Sequence, residues 1–142
     1  MLNFCALDVG TEFENWRLAT MDRSYIYEGK RILVVEDDLF LGMDICEALE
    51  REGGIVYGPV IDRDSAEKIA SFGDIDGAII DFKLGHKNSL KLAQFCFEND
   101  IPCVCYTGDS KGACNANMDA FAQVIEKPVT TMELLSKLAN LM

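Results

Sequence analysis

A single histidine, His86, stands among 142 residues, so no His-x-His or His-x-x-x-His pair exists to hold a metal. It lies in the stretch Gly85-His86-Lys87-Asn88, which reads as an exposed loop rather than a catalytic centre. Basic residues are also scarce. Thirteen Lys and Arg face 24 Asp and Glu, for a formal net charge of −11. Duplex DNA binding draws on cationic side chains to neutralise phosphates, so this balance argues against nucleic acid as a partner. No apolar run approaches the roughly 18 residues that cross a bilayer. The first residues, Met1 to Asp8, lack a basic region followed by an apolar one, so they do not form a signal peptide. A cytoplasmic location is the expectation. The six cysteines, Cys5, Cys46, Cys96, Cys103, Cys105 and Cys114, include no C-x-x-C pair. Cys103 and Cys105 alternate within an apolar run and share one face, as small buried hydrophobes do. Reduced core thiols are expected rather than a zinc site or disulfides, leaving Cys5 and Cys114 for any redox role.

What is present is a regular pattern from Lys30 onward. The length suits one domain with a sizeable core. Residues 31–35 form a β-branched run of the kind buried on both faces of a sheet. Leu41, Ile45, Ala48 and Leu49 then recur at helical spacing until Gly53-Gly54. Further strands are predicted over 55–60, 77–82, 101–106 and 122–126. Helices are predicted after Asp62 or Asp64, over 89–98, and after the capping box Thr130-Thr131-Met132-Glu133. Residues 85–88 read as a loop. Residues 108–119 are polar and rich in Gly and Asn, so any helix there is short. Alternating strands and helices imply a parallel α/β sheet covered on both faces. Residues 1–29 read as an N-terminal extension, in which Thr11 to Arg23 is expected to make a turn or two of helix with Phe13, Trp16 and Leu18 as apolar anchors and Trp16 docking the arm, and residues 30–142 as the domain.

The polar residues that end these strands carry the chemistry. Glu36-Asp37-Asp38 follows the first strand, Asp81 the third, Thr107 the fourth, and Lys127-Pro128 the fifth. In an open parallel sheet these ends share one edge, where such folds bind ligands. Crowded carboxylates repel, and a Mg²⁺ ion relieves the conflict with hard oxygen ligands. Glu36 and Asp37 are assigned to that metal, and Asp38 to capping the next helix. Asp81 is the candidate nucleophile, since a carboxylate oxygen can attack phosphorus to give an acyl phosphate. Lys127 supplies positive charge and Thr107 a hydroxyl donor. A proline after Lys127 makes a cis bond accessible, and one is expected there.

Together these residues resemble the receiver domain of two-component response regulators, over roughly residues 30–142. The resemblance implies a flavodoxin-like, doubly wound sheet of five parallel strands in the order 2-1-3-4-5. It implies that a histidine kinase or histidine phosphotransfer protein donates a phosphoryl group to Asp81. It also implies Mg²⁺ held by Asp37, Asp81 and the Lys83 carbonyl, with Glu36 acting through water. Receivers usually carry an aromatic switch three positions before the lysine; here that residue is Val124, so Tyr106 or Phe121 is expected to substitute, alongside Thr107. The fourth helix is expected to be reduced. The segment Ile101-Pro102-Cys103-Val104-Cys105-Tyr106-Thr107-Gly108 is similar to that of stand-alone alphaproteobacterial receivers with this trait.

Lys83 and Asp109, two residues beyond Asp81 and Thr107, are expected to rim the site as an ion pair that hinders the hydrolytic water. The sequence ends with the last helix, so a stand-alone signalling protein is expected, acting on a downstream protein or as a relay or sink. The last helix and the fourth-strand edge are its candidate homodimer surfaces. The alternative is a protein-binding module whose site is unused. A hydrolase of small phosphates would need a general acid or base that the sequence does not supply.

Overall fold

The computed structural model describes residues 25–142. The Trp16 arm, the helix turns expected between Thr11 and Arg23, and Cys5 lie outside these residues. Among the described residues, seven strands and five helices follow in chain order. They are β1 (Arg31–Val35), α1 (Leu39–Arg51), β2 (Ile55–Val60), α2 (Arg63–Phe72), β3 (Gly77–Asp81), β4 (Lys83–Leu84) and β5 (Lys87–Asn88). Then come α3 (Leu90–Glu98), β6 (Cys103–Thr107), α4 (Ser110–Asn115), β7 (Gln123–Glu126) and α5 (Thr131–Leu141), with a 3₁₀ turn at Met118–Ala120 before β7. The main sheet is parallel, in the order β2-β1-β3-β6-β7, which is the expected doubly wound, flavodoxin-like arrangement. Residues read as a loop instead form a separate antiparallel hairpin, β4 with β5, whose turn carries exposed His86.

Alternation along the central strands sorts their side chains into two cores. Leu33, Val35, Ala78, Ile80, Cys103 and Cys105 pack with α2, α3 and α4. Ile32, Val34, Ile79, Val104 and Tyr106 pack with α1 and α5. A fully buried Ile or Leu of this kind contributes about 1.5–3 kcal/mol. Cys46, Cys96, Cys103 and Cys105 are buried free thiols, and burial pushes Cys105 up to about 12, so it stays protonated and inert. Cys114 is free and exposed. Among the described residues, no helix is long and apolar enough to cross a membrane.

The packed domain begins before the expected boundary. Tyr27 is fully buried in the α1/α5 core, where its hydroxyl donates to the carbonyl of Leu135. Its N–H donates to Glu52 O at 3.0 Å, so a residue assigned to the extension is part of the core.

The helix starts follow their caps. Asp38 caps α1 through the N–H groups of Phe40 and Leu41, and Asp62, not Asp64, caps α2. Thr130 and Glu133 form the expected capping box of α5. As expected, α4 is short, with six residues. Close packing of α1 on β2 depends on Gly42. A Cβ there would lie 2.6 Å from Pro59 Cβ and 3.4 Å from Glu36 Cβ. Gly42→Ala gains roughly 1 kcal/mol of helix propensity but overpacks against a proline ring, at about 1–3 kcal/mol. Urea unfolding should show a net loss of about 1 kcal/mol; an unchanged midpoint would mean that α1 moves freely.

Candidate functional site

At the carboxyl-terminal edge of the sheet, Asp81 and Thr107 end β3 and β6, and Glu36 and Lys127 directly follow β1 and β7. β1 runs straight into Glu36, whose N–H donates to Val60 O at 2.9 Å. Glu36 is 1 % exposed and Asp81 6 % exposed, so both carboxylates sit below the surface. Asp37 is exposed at the rim, and its Oδ2 accepts the Gly85 N–H at 3.2 Å, tying it to the β4–β5 hairpin. Glu36, Asp37 and Asp81 each offer an oxygen within 4.8 Å of the others. Three hard oxygen donors at this spacing fit a small divalent cation such as Mg²⁺, which takes one or two carboxylates and keeps several waters.

Lys127 reaches this group from the end of β7. Its Nζ lies 3.0 Å from Asp81 Oδ2 and 3.7 Å from Glu36 Oε2. The Lys127–Pro128 bond is cis, as expected. A second cis bond, Gly58–Pro59, occurs where β2 slips register against β1. Lys83 N–H donates to Asp81 Oδ1 at 3.3 Å. Thr107, 1 % exposed, ends β6 beside Asp81, and its Oγ1 accepts the Asp109 N–H at 3.0 Å. The Lys83 ammonium and Asp109 carboxylate meet at 3.2 Å, forming the expected rim pair.

Three features differ from what the sequence suggests. Ser89, expected to be an ordinary first residue of a helix, is fully buried. Its hydroxyl donates to Asp81 O at 2.8 Å, pinning the backbone beneath the candidate nucleophile. The expected switch residue Phe121 lies elsewhere. It precedes β7, at the opposite edge of the sheet, where its ring meets Phe97 edge-on at 5.6 Å. Tyr106 is inside the site, but fixed: its hydroxyl donates to Glu36 and its ring lies under the Lys127 ammonium, 4.7 Å from the centroid.

Burial is the main influence on Glu36, and the neighbouring Asp81 charge adds to it. Against the bonds from Tyr106 and Asp38 and the charge of Lys127, they push Glu36 from its ordinary 4.5 to about 7. Asp109 moves the other way, held low by the Gly112 N–H and by Lys83.

Comparison with known proteins agrees with the geometry. No family model and no curated protein matches the sequence. Many solved structures do. A CheY-like response regulator receiver domain from Methanospirillum hungatei JF-1 is 25% identical with a TM-score of 0.71, over 78% of this chain and 91% of that one. The non-phosphorylated HemR receiver domain of Leptospira biflexa is 27% identical with a TM-score of 0.68, over 79% and 93%. A response regulator from Burkholderia pseudomallei, solved with a phosphorylated aspartic acid, a calcium ion and citrate, is 26% identical with a TM-score of 0.67, over 77% and 66%. The chain is a response regulator receiver domain.

The raised Glu36 sets a pH dependence of stability. Between pH 4.5 and about 7 the folded protein holds a proton that the unfolded chain has released. Folding therefore weakens as pH rises through this window, by on the order of 3 kcal/mol across it. Metal-free protein unfolded in urea at pH 5, 6 and 7 should show this decline, and Glu36→Gln should flatten it. An equal slope in the variant would assign the effect to other groups.

Proposed function

We propose that this receiver is a phosphorylation-dependent signalling protein that accepts a phosphoryl group on Asp81 from the phosphohistidine of a histidine kinase or phosphotransfer protein. The observation that carries the reading is the Asp81 carboxylate. It is nearly buried at a strand end, 3.0 Å from the Lys127 ammonium and within 4.8 Å of two further carboxylates. The receiver fold supports it, as does the phosphorylated aspartic acid of the Burkholderia relative. An Asp81 oxygen attacks phosphorus in line, the P–N bond breaks, and the departing imidazole takes up a proton. Mg²⁺ held by Asp37, Asp81 and the Lys83 carbonyl, with Glu36 acting through water, would neutralise charge on the transferred group. Lys127 balances charge from the opposite side. The Thr107 hydroxyl accepts from Asp109 N–H and keeps its own proton free to donate to a phosphoryl oxygen.

Protein contact is the output in this reading, whether on a downstream target or as a relay or sink. An apolar surface beside the site supports it: Leu39, Phe40 and Met43 on α1 are exposed, Phe40 by 86%, and Met132 opens α5 nearby. Exposed apolar surface of this kind marks protein contact sites. The only chemistry assigned to the chain is gaining and losing its own phosphoryl group.

Incubation with acetyl phosphate and Mg²⁺ tests the function. Mass spectrometry should show one added phosphoryl group, absent in Asp81→Asn and reduced at least tenfold without the metal. A parent protein that gains no mass would make the chain a binding module with an unused site. The Lys83 ammonium and the Asp109 carboxylate, 3.2 Å apart at the rim, would obstruct the water that hydrolyses the acyl phosphate. Lys83→Ala should speed autodephosphorylation severalfold in a phosphate-release assay; a rate equal to the parent's would remove the pair from the mechanism.

A further inference from the structure

Lys127 has two carboxylates within reach and bonds to one. Its Nζ is 3.0 Å from Asp81 Oδ2 but 3.7 Å from Glu36 Oε2. A charge-assisted N–H···O bond closes to about 2.7–2.9 Å, so the contact with Glu36 is an ion pair without a direct hydrogen bond. Glu36 is already served. Its Oε1 accepts the Asp38 N–H at 2.9 Å, and its Oε2 accepts the Tyr106 hydroxyl. The Tyr106 ring meanwhile carries the Lys127 ammonium on its face, 4.7 Å from the centroid.

We infer that Tyr106 is a positioning residue that selects the partner of Lys127. Its hydroxyl occupies the Glu36 oxygen that competes for the ammonium, and its ring supports the ammonium in the direction of Asp81. The inference rests on Asp81 as the phosphoacceptor and adds to it the device that keeps the lysine aimed there. The placement is enforced from several sides. Tyr106 is 1% exposed, paired with Asp81 on one flank and Ile125 on the other. Its side chain packs in the α1/α5 core, with Ile45 and Leu134. Held at both ring and hydroxyl, Tyr106 acts in this arrangement as a positioning part of the site. A purely structural tyrosine would also be buried with its hydroxyl bonded, but its loss would not redirect Lys127.

Tyr106→Phe separates the two roles, because it keeps the ring and removes only the hydroxyl. In a crystal structure of the metal-free variant, Lys127 should move to hydrogen-bond distance from Glu36, and acetyl phosphate labelling should slow about tenfold. In a Glu36→Gln background the rival carboxylate is gone. Tyr106→Phe should then leave Lys127 on Asp81 and change labelling less than twofold. Lys127 unmoved in the single variant, or an equal loss of rate in both backgrounds, overturns the inference. Should the single variant fail to fold, the double variant still decides, since Lys127 leaving Asp81 there would mean that Glu36 was never its rival. If the parent protein takes up no phosphoryl group, the reading of Asp81 falls, and the position of Lys127 alone still judges Tyr106.

Discussion

Three carboxylates against one ammonium is the imbalance around which this sheet edge is built. Glu36, Asp37 and Asp81 stand within a single cation's reach of one another, and among the described residues Lys127 is the only basic group within ion-pair distance of Glu36 or Asp81. Burying like charges together is costly, and proteins hold such groups only where partners or bound ions compensate. Here the compensation is incomplete without a further cation. The pocket meets the deficit by letting Glu36 hold its proton up to about pH 7 and by engaging its oxygens with Tyr106 and the Asp38 N–H. A divalent metal and a phosphoryl group would complement this arrangement: the metal would supply the missing positive charge, and the phosphoryl oxygens would share it with Lys127.

Topology makes the convergence possible. Parallel strands deliver their carboxyl-terminal residues to one edge whatever their separation in sequence, so Glu36, Asp81, Thr107 and Lys127 meet although they come from four separate strands. The details depend on tertiary bonds below that edge. Ser89 fixes the Asp81 carbonyl, Gly42 lets α1 close on Pro59 and Glu36, and the Gly85 N–H holds Asp37. Each is a small interaction of about 1 kcal/mol, but a site that must hold several charged groups in register depends on their sum.

Much of this is legible in the chain because burial on both faces writes continuous apolar runs, and because a strand-ending polar residue is conspicuous after Ile32-Leu33-Val34-Val35 or Ala78-Ile79-Ile80. The alternation of strands and helices, the short α4, the caps and the acidic group follow from such signals, whereas the order of the strands is implied only by the resemblance to receivers. The β4–β5 hairpin is not legible, since two-residue strands such as Lys83–Leu84 are too short to show alternation. Ser89 reads as an ordinary helix start; that its hydroxyl turns inward is a tertiary fact. Phe121 misleads for a related reason. Proximity to Lys127 in sequence is not proximity in space: the strand predicted over 122–126 already puts Phe121 ahead of it and Lys127 after it, at opposite edges of the sheet. The bond from Tyr106 to Glu36 spans 70 positions, beyond any local pattern.

The same charge logic bears on how a modified Asp81 would be read by a partner. Thr107 Oγ1 accepts from Asp109 N–H, and Asp109 in turn caps α4 through Gly112 N–H at 3.0 Å. A Cβ at Gly112 would lie 2.2 Å from Asp109 Oδ2, so this cap depends on the glycine. Any pull on the Thr107 hydroxyl therefore reaches the first turn of a six-residue helix in two hydrogen bonds. A helix that short has little cooperative stability of its own and rests on its cap and on Ala113, its one buried residue. With an aliphatic Val124 three positions before the lysine, the backbone from Thr107 to Gly112 is what joins the end of β6 to the surface through two hydrogen bonds.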